Sequence, residues 1–247
     1  MEEEKKTVRA VERALDVLLC FVSGHEWGLT EIAGLVGLHK STVFRLLATL
    51  EEKGFVIRDA ATEKYRLGLS VLELSANLSR SDDPSVVLLP EMERLRDQLN
   101  ETISLYVRDR GERVRIQAVQ STQAIRRVAT VGARLPLFVG ASSKVLLAFA
   151  DAGVRGTILA DPAWPAQLDR ESFGKQLDDI MRVGYATSYE EREPGAAAVA
   201  APIFNRSGKL VAALAVSGPS NRLTPDLMHK YAPAIIESAH RMGTMLG

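Results

Sequence analysis

The chain has 247 residues, 46% of them hydrophobic, and its 31 Lys plus Arg are balanced by 31 Asp plus Glu. That length favours one large domain or two smaller ones, and a net charge of zero excludes a polybasic mode of nucleic-acid binding, so any grip on phosphate must be local. No run of about 18 apolar residues occurs and the opening MEEEKK has no apolar signal region, so neither a membrane span nor secretion is expected and the protein reads as cytoplasmic.

Val8 to Val22 carries apolar residues at Val8, Val11, Leu15, Leu18, Leu19 and Val22, the spacing of an amphipathic helix that caps the helices after it. Cys20 is the single cysteine. It cannot form an internal disulfide and reads as a small buried hydrophobe in a reducing compartment.

Thr30 to Lys53 reads as two short helices joined by a sharp turn, the outline of a helix-turn-helix. Ile32, Ala33, Leu35 and Val36 give the first an apolar face, Gly37 permits the turn, and Leu38 tucks it against the core. Ser41 starts the second helix. Val43, Leu46, Leu47 and Leu50 point inward, while Lys40, Ser41, Thr42 and Arg45 face the other way, where short donors suit phosphates and base edges in a major groove. An ordinary helical hairpin would carry the same residues as solvated charges. His39, just before this helix, is placed to touch a phosphate or to cap the helix.

Gly54 stops the helix. Phe55 to Arg58 and Lys64 to Leu67 then flank a turn at Asp59 to Thr62, a hairpin that makes the unit a winged helix, with Arg58, Lys64 and Arg66 facing the phosphate backbone. From Leu67 to Arg80, Leu67, Val71, Leu74 and Leu78 recur as a short seam, suited to the same helix of a second subunit or to its own domain. The polar segment SRSDDP, Ser79 to Pro84, marks a domain boundary.

The second part has the rhythm of an α/β or α+β sensor. Helices are predicted at Leu88 to Leu99, Ser142 to Ala150, Lys175 to Val183 and Pro225 to Leu246. Strands are predicted at Thr102 to Val107, Val114 to Val119, Ile125 to Val131, Tyr185 to Tyr189, Ala197 to Phe204 and Leu210 to Gly218. Gly132 to Pro136 breaks the pattern, and Asn205 to Gly208 turns between the last two strands. Gly140 to Lys144, GASSK, is neither a complete phosphate-binding loop nor a nucleophile elbow and reads as a ligand-binding turn or a helix cap. The four histidines His25, His39, His229 and His240 lack metal-ligand spacing, so no metal or other cofactor is expected. Glu190, Glu191 and Glu193 read as a solvated acidic cluster.

The opening helix VERALDVLLCF, the segment STVFRLLATLEEKGF, the wing ending in YRLG, VGARLPLFVGASSKVLLAF from Val131 and MRVGYATSYEEREPGAAAVAAPIFNRSGKLVAALAVSGPSNRLT from Met181 occur in that order. Over essentially its full length the chain resembles the IclR family of bacterial transcriptional regulators. The resemblance implies an α+β protein with a winged helix-turn-helix DNA-binding domain at residues 1–68, a linker helix and boundary at 69–83, and a GAF-like α/β effector-binding and oligomerisation domain at 84–247. It implies a dimer or dimer of dimers on a palindromic operator, controlled by a small molecule. By the same resemblance the effector pocket lies between the sheet and the turn at Gly140, Ala141 and Ser142, lined by strands containing Ala124 to Val128, Val199 to Pro202 and Ala215 to Ser217, with Tyr189 beside it. Ser217 is kept but Ala215 stands where a polar group is common, so effector identity does not transfer.

In that lining Arg126 and Arg127 stand out. Strand alternation sends them to opposite faces, Arg127 is the one assigned to the cavity, and an arginine there would take an organic acid by two parallel hydrogen bonds. Solvation of both at a sheet edge or a subunit contact is the competing reading. The resulting expectation is a ligand-responsive regulator, repression being the commoner sign and activation the alternative. An enzyme with an appended helical domain finds no catalytic constellation, and a protein-binding adaptor would use the winged helix without DNA.

Overall fold

The computed structural model describes residues 7–76, 83–128 and 130–246, which fall into two compact units, 1–80 and 81–247.

In the N-terminal unit, helix α1 (Arg9–Leu19) continues as one 3-10 turn (Cys20–Val22), and α2 (Leu29–Val36) and α3 (Lys40–Glu52) follow. The hairpin β1 (Val56–Arg58) and β2 (Tyr65–Leu67) pairs antiparallel, and α4 (Leu69–Ala76) comes next. Gly37 sits at φ 64°, the left-handed conformation that lets the chain turn within three residues. Val17, Phe21, Ile32, Val43, Leu47, Val56 and Tyr65 fill one core, with Leu38 and Leu46 against its side. Buried Cys20 belongs to this core, where burial raises its thiol pKa.

Two expectations about apolar faces are corrected. Leu35 is 56% exposed, and of the α1 stripe Val8, Val11, Leu15, Leu19 and Val22 are all more than half exposed. The helix is apolar on two sides, and only Val17, Leu18, Cys20 and Phe21 meet the core. On α4 no residue is buried, and Leu67, Leu69, Leu72 and Leu74 face solvent within this unit. Leu78 of the expected seam lies outside the described residues.

The C-terminal unit begins with α5 (Pro84–Val87) and α6 (Leu89–Leu99), followed by strands β3 (Thr102–Asp109), β4 (Glu112–Val119) and β5 (Arg134–Pro136). Helices α7 (Ala141–Ala148), α8 (Ala152–Leu159) and α9 (Arg170–Val183) come next. The chain closes with β6 (Ala186–Tyr189), β7 (Ala196–Phe204), β8 (Leu210–Pro219) and α10 (Pro225–Thr244). All strands join one antiparallel sheet in the order β5-β4-β3-β8-β7-β6.

Alternation divides that sheet. Ile103, Leu105, Val199, Ile203, Leu214 and Val216 pack against α6 and α10, whereas Tyr106, Ala200, Ala213 and Ala215 pack towards α7 and α9. Every residue of α7 is buried. The helices α5 and α8 were not anticipated, being short and weakly amphipathic.

Among the described residues the strand expected over Ile125 to Val131 does not form. Residues 121–128 run as a loop whose carbonyls are taken by side chains rather than by a ladder: Thr102 Oγ1 donates to the Arg127 carbonyl at 2.9 Å and Arg222 Nη2 to that of Ile125 at 3.1 Å. The edge strand β5 instead falls within the expected break, paired with β4.

Glu91 ties α6 to α10. It accepts hydrogen bonds from Arg94 Nε at 2.7 Å, Ser238 Oγ at 2.7 Å and Arg241 Nε at 3.0 Å. Burial alone would raise its pKa, but these donors outweigh burial and hold it at about 2. A depressed carboxylate contributes stability above its unfolded value near 4.5 and loses it as pH falls through 2. The Glu91→Gln variant should therefore melt roughly 5 to 10 °C lower at neutral pH, the gap closing as pH falls from about 4.5 to 2 in thermal unfolding curves. A pH-independent gap would contradict this ionic role.

Candidate functional site

The first candidate surface is the outer face of α3. His39 caps the helix, its Nδ1 2.8 Å from Ser41 Oγ and 3.4 Å from the Ser41 amide that donates to it. Of its two sequence roles the structure displays capping, which draws the Ser41 hydroxyl back towards the helix start. Lys40, Ser41 and Arg45 are exposed and Thr42 is half-buried. Between them Phe44 is 51% exposed, an apolar ring in a polar stripe that sequence reading passed over. Its position three residues after Ser41, outside the inward set, was the available signal.

The wing is less cationic than its sequence implied. Arg58 pairs with Glu63 at 2.8 Å and Lys64 with Glu26 at 2.7 Å, so local acids neutralise both. Arg66 is exposed and makes no ion pair among the described residues.

The second candidate site is a cavity of the C-terminal unit, enclosing about 560 Å³ of empty space when its solvent-open part is included. Small side chains of the sheet form its floor, Ala198 of β7 with Ala215 and Ser217 of β8. The turn Gly140, Ala141 and Ser142 and the loop residues Arg127 and Val128 close over it. Seven of the ten sequence-assigned residues thus meet at one site.

Three do not. Val199 is fully buried on the opposite face of β7, in the core with α6 and α10. Pro202 has the cavity-side parity but lies four residues beyond Ala198, roughly 13 Å along the strand, and lines a separate apolar recess with Phe149, Met181 and Phe204. Tyr189 ends β6 with its side chain 43% exposed, while its neighbour Ser188 lines the cavity.

Sequence reading missed the groups that dominate the electrostatics, Arg113 and Arg115 of β4, Tyr106 of β3 and Arg192. Arg113 and Arg115 are only 3% and 8% exposed. Arg113 Nη1 donates to the Val139 carbonyl at 3.0 Å and to Ser143 Oγ at 2.5 Å. Its buried Nε has no partner, and Nη2 makes no hydrogen bond among the described residues. Arg115 Nε and Nη2 donate to the Tyr106 hydroxyl at 3.0 and 2.5 Å, and its Nη1 to the Thr130 carbonyl at 3.1 Å. Both guanidinium carbons lie over the Tyr106 ring, at 5.2 and 5.0 Å from its centroid. Neither arginine forms an ion pair with a carboxylate among the described residues.

The acids nearby are engaged elsewhere, correcting their reading as a solvated cluster. Glu191 pairs with Lys144 and accepts from the Gly140 amide at 3.3 Å. Glu193 bridges Arg127 and Arg192, and Glu190 accepts from Ser220 Oγ at 2.6 Å. Arg127 thus reaches the cavity rim from a loop rather than from a strand, while Arg126 bonds to Gln120 and the Gln123 carbonyl on the exposed side.

Desolvation lowers the Arg113 pKa to about 10, with repulsion from Arg192 and Arg115 in the same direction and Tyr106 and Glu191 opposing it. The guanidinium remains charged at neutral pH. A buried cation without a counter-charge is costly, and an anion entering the cavity would relieve that cost. Among the described residues no cluster of three His, Cys, Asp or Glu is placed to hold a metal.

Residues 10–60 match the IclR helix-turn-helix domain and residues 83–244 the bacterial transcriptional regulator IclR C-terminal domain. The HTH-type transcriptional repressor AllR of Escherichia coli K12 is 30% identical, over 98% of this chain and 92% of that protein. The crystal structure of an IclR transcriptional regulator from Alicyclobacillus acidocaldarius is similar with a TM-score of 0.83 at 27% identity, covering 98% of this chain and 100% of that one. An IclR homologue from Microbacterium hydrocarbonoxydans, solved in complex with 4-hydroxybenzoate, is similar with a TM-score of 0.75 at 26% identity, covering 93% and 98%.

Gly140 tests the packing around Arg113. Its φ is +95°, and an added Cβ would stand 2.8 Å from Arg113 Nη1 and 3.0 Å from Nη2. Gly140→Ala should lower the melting temperature by about 3 to 10 °C, from backbone strain and displacement of the guanidinium. An unchanged melting temperature would mean that the turn moves freely off Arg113.

Proposed function

The chain belongs to the IclR family of bacterial transcriptional regulators, and we propose that it is a cytoplasmic homodimer or dimer of dimers that acts as a repressor, with activation the alternative sign. It acts by binding a palindromic operator and is controlled by an organic anion. Residues 1–68 contact DNA, 69–83 link, and 84–247 hold the effector and join subunits. Action is by binding rather than catalysis.

The single observation carrying the effector class is the buried pair Arg113 and Arg115, with no carboxylate on either. A charge so placed calls for an anionic partner, and carboxylate geometry matches a guanidinium fork. The relative from Microbacterium hydrocarbonoxydans holds a carboxylate compound, 4-hydroxybenzoate. The exposed stripe Val8, Val11, Leu15, Leu19 and Val22 on α1 supports pairing of subunits, since such a row at near-heptad spacing invites a second helix.

On DNA, Lys40, Ser41, Thr42 and Arg45 face the groove. Phe44 adds an apolar contact of the kind thymine methyl groups offer. Arg66 supplies wing charge directly, whereas Arg58 and Lys64 must exchange Glu63 and Glu26 for phosphate. Effector binding shifts the population of subunit arrangements, and with it the match of the two recognition helices to half-site spacing.

Fluorescence anisotropy with the DNA flanking the protein's own coding region tests this reading. Arg45→Ala and Phe44→Ala should each weaken specific binding by 1 to 3 kcal/mol, roughly 5- to 150-fold, without lowering the melting temperature, and affinity should fall steeply with salt. Salt-insensitive binding, or unchanged affinity in both variants, would favour the adaptor reading instead.

A further inference from the structure

The anionic-effector reading is the premise here, and on it we propose that the ligand carries two carboxylates, one held by Arg113 at the buried end of the cavity and one by Arg127 and Arg192 at its mouth. The side chains of Arg127 and Arg192 are 29% and 28% exposed, whereas Arg113 is 3% exposed, so the cationic groups stand at two depths.

At the buried end, Val139 and Ser143 occupy only Nη1 of Arg113. Its Nε and Nη2 remain, the edge that receives both oxygens of a carboxylate side-on. The Tyr106 hydroxyl accepts twice from Arg115, which leaves its proton to donate to the same group. Ser104, two residues before Tyr106 on β3 and cross-strand from the cavity-lining Ala215, has a buried hydroxyl with no partner. These unspent groups call for a polar occupant.

At the mouth two guanidiniums share one carboxylate oxygen, Glu193 Oε1. Among the described residues no acid lines the cavity itself. For the five cations around it, Arg113, Arg115, Arg127, Arg192 and Lys144, ion pairing among the described residues supplies two carboxylates, Glu191 and Glu193, an excess of three cations over paired acids. A monoanion reduces that excess to two and a dianion to one, and in a poorly solvated recess the second charge is drawn in by the same field. Ala141 and Ala215 are among the uncharged lining residues, which suit a short carbon frame rather than further charge.

Calorimetric titration of the full-length protein with pairs matched in carbon skeleton, butyrate against succinate, hexanoate against adipate and benzoate against terephthalate, tests the second carboxylate. In at least one pair the dicarboxylate should bind about tenfold tighter or more. Arg127→Gln with Arg192→Gln should abolish that preference. Glu193→Gln, which frees both guanidiniums without removing them, should strengthen dicarboxylate binding more than monocarboxylate binding. If monocarboxylates bind as tightly in every pair, or the preference survives the double substitution, the second carboxylate is overturned while the anionic effector stands. If no acid of either kind binds, both fall together.

Discussion

In the C-terminal sheet the two-residue period of side chains assigns bulk to one face and smallness to the other, and the cavity exists because of that division. Ile103, Leu105, Val199, Ile203, Leu214 and Val216 build a dense layer with α6 and α10. On the reverse, Ser104, Ala198, Ala200, Ala213, Ala215 and Ser217 are all small; Ala200 and Ala213 pack with α7 and α9, while Ala198, Ala215 and Ser217 floor the cavity. Each large aliphatic removed from water contributes about 1.5 to 3 kcal/mol. The α6 and α10 layer therefore anchors the sheet, while the other face is partly packed by α7 and α9 and partly open as the cavity. Fully buried α7 roofs part of that open face, and its preceding turn at Gly140 brings backbone against Arg113.

Into that small-residue floor the chain places two guanidiniums rather than apolar filling. Arg113 and Arg115 stack on Tyr106 and are held by carbonyls and hydroxyls, which fix their direction without neutralising them. Acids that would neutralise them are spent elsewhere, Glu191 on Lys144 and Glu193 on Arg127 and Arg192. The N-terminal unit shows a parallel economy, because α1 is apolar on two sides and only one is used inside the unit. In both units groups are left over, an exposed apolar stripe in one and guanidiniums without a carboxylate in the other.

Much of this was legible in the chain. Helical spacing of Val43, Leu47 and Leu50 and the glycine at 37 set the helix-turn-helix, since local periodicity and turn chemistry act over a few residues. Arg127 was reached by alternation along a strand that is in fact a loop, so the residue was found for the wrong reason. Arg113 and Arg115 were invisible for a physical cause. Alternating charged residues look the same whether they face water or a polar recess, and only tertiary packing distinguishes the two. A β-bulge adds to this: Leu105 pairs with Gln117 and Tyr106 with Arg115, so the extra residue Ile116 reverses the parity of β4. Arg115 faces the cavity while Val119 joins the α6 core. Strict alternation would have put the two on one face. The α1 stripe misled for a related reason, because two apolar faces cannot both meet one core.

The central claim is that the Arg113 charge is retained for a ligand and not for the fold. Thermal unfolding of Arg113→Met in a buffer free of carboxylates and phosphate tests this directly, since Met keeps much of the bulk and removes the charge. The account predicts a melting temperature equal to or above that of the unsubstituted protein, together with loss of any stabilisation by added carboxylates. A variant that melts several degrees lower without ligand would contradict it, making the guanidinium a structural tie to Val139 and Ser143.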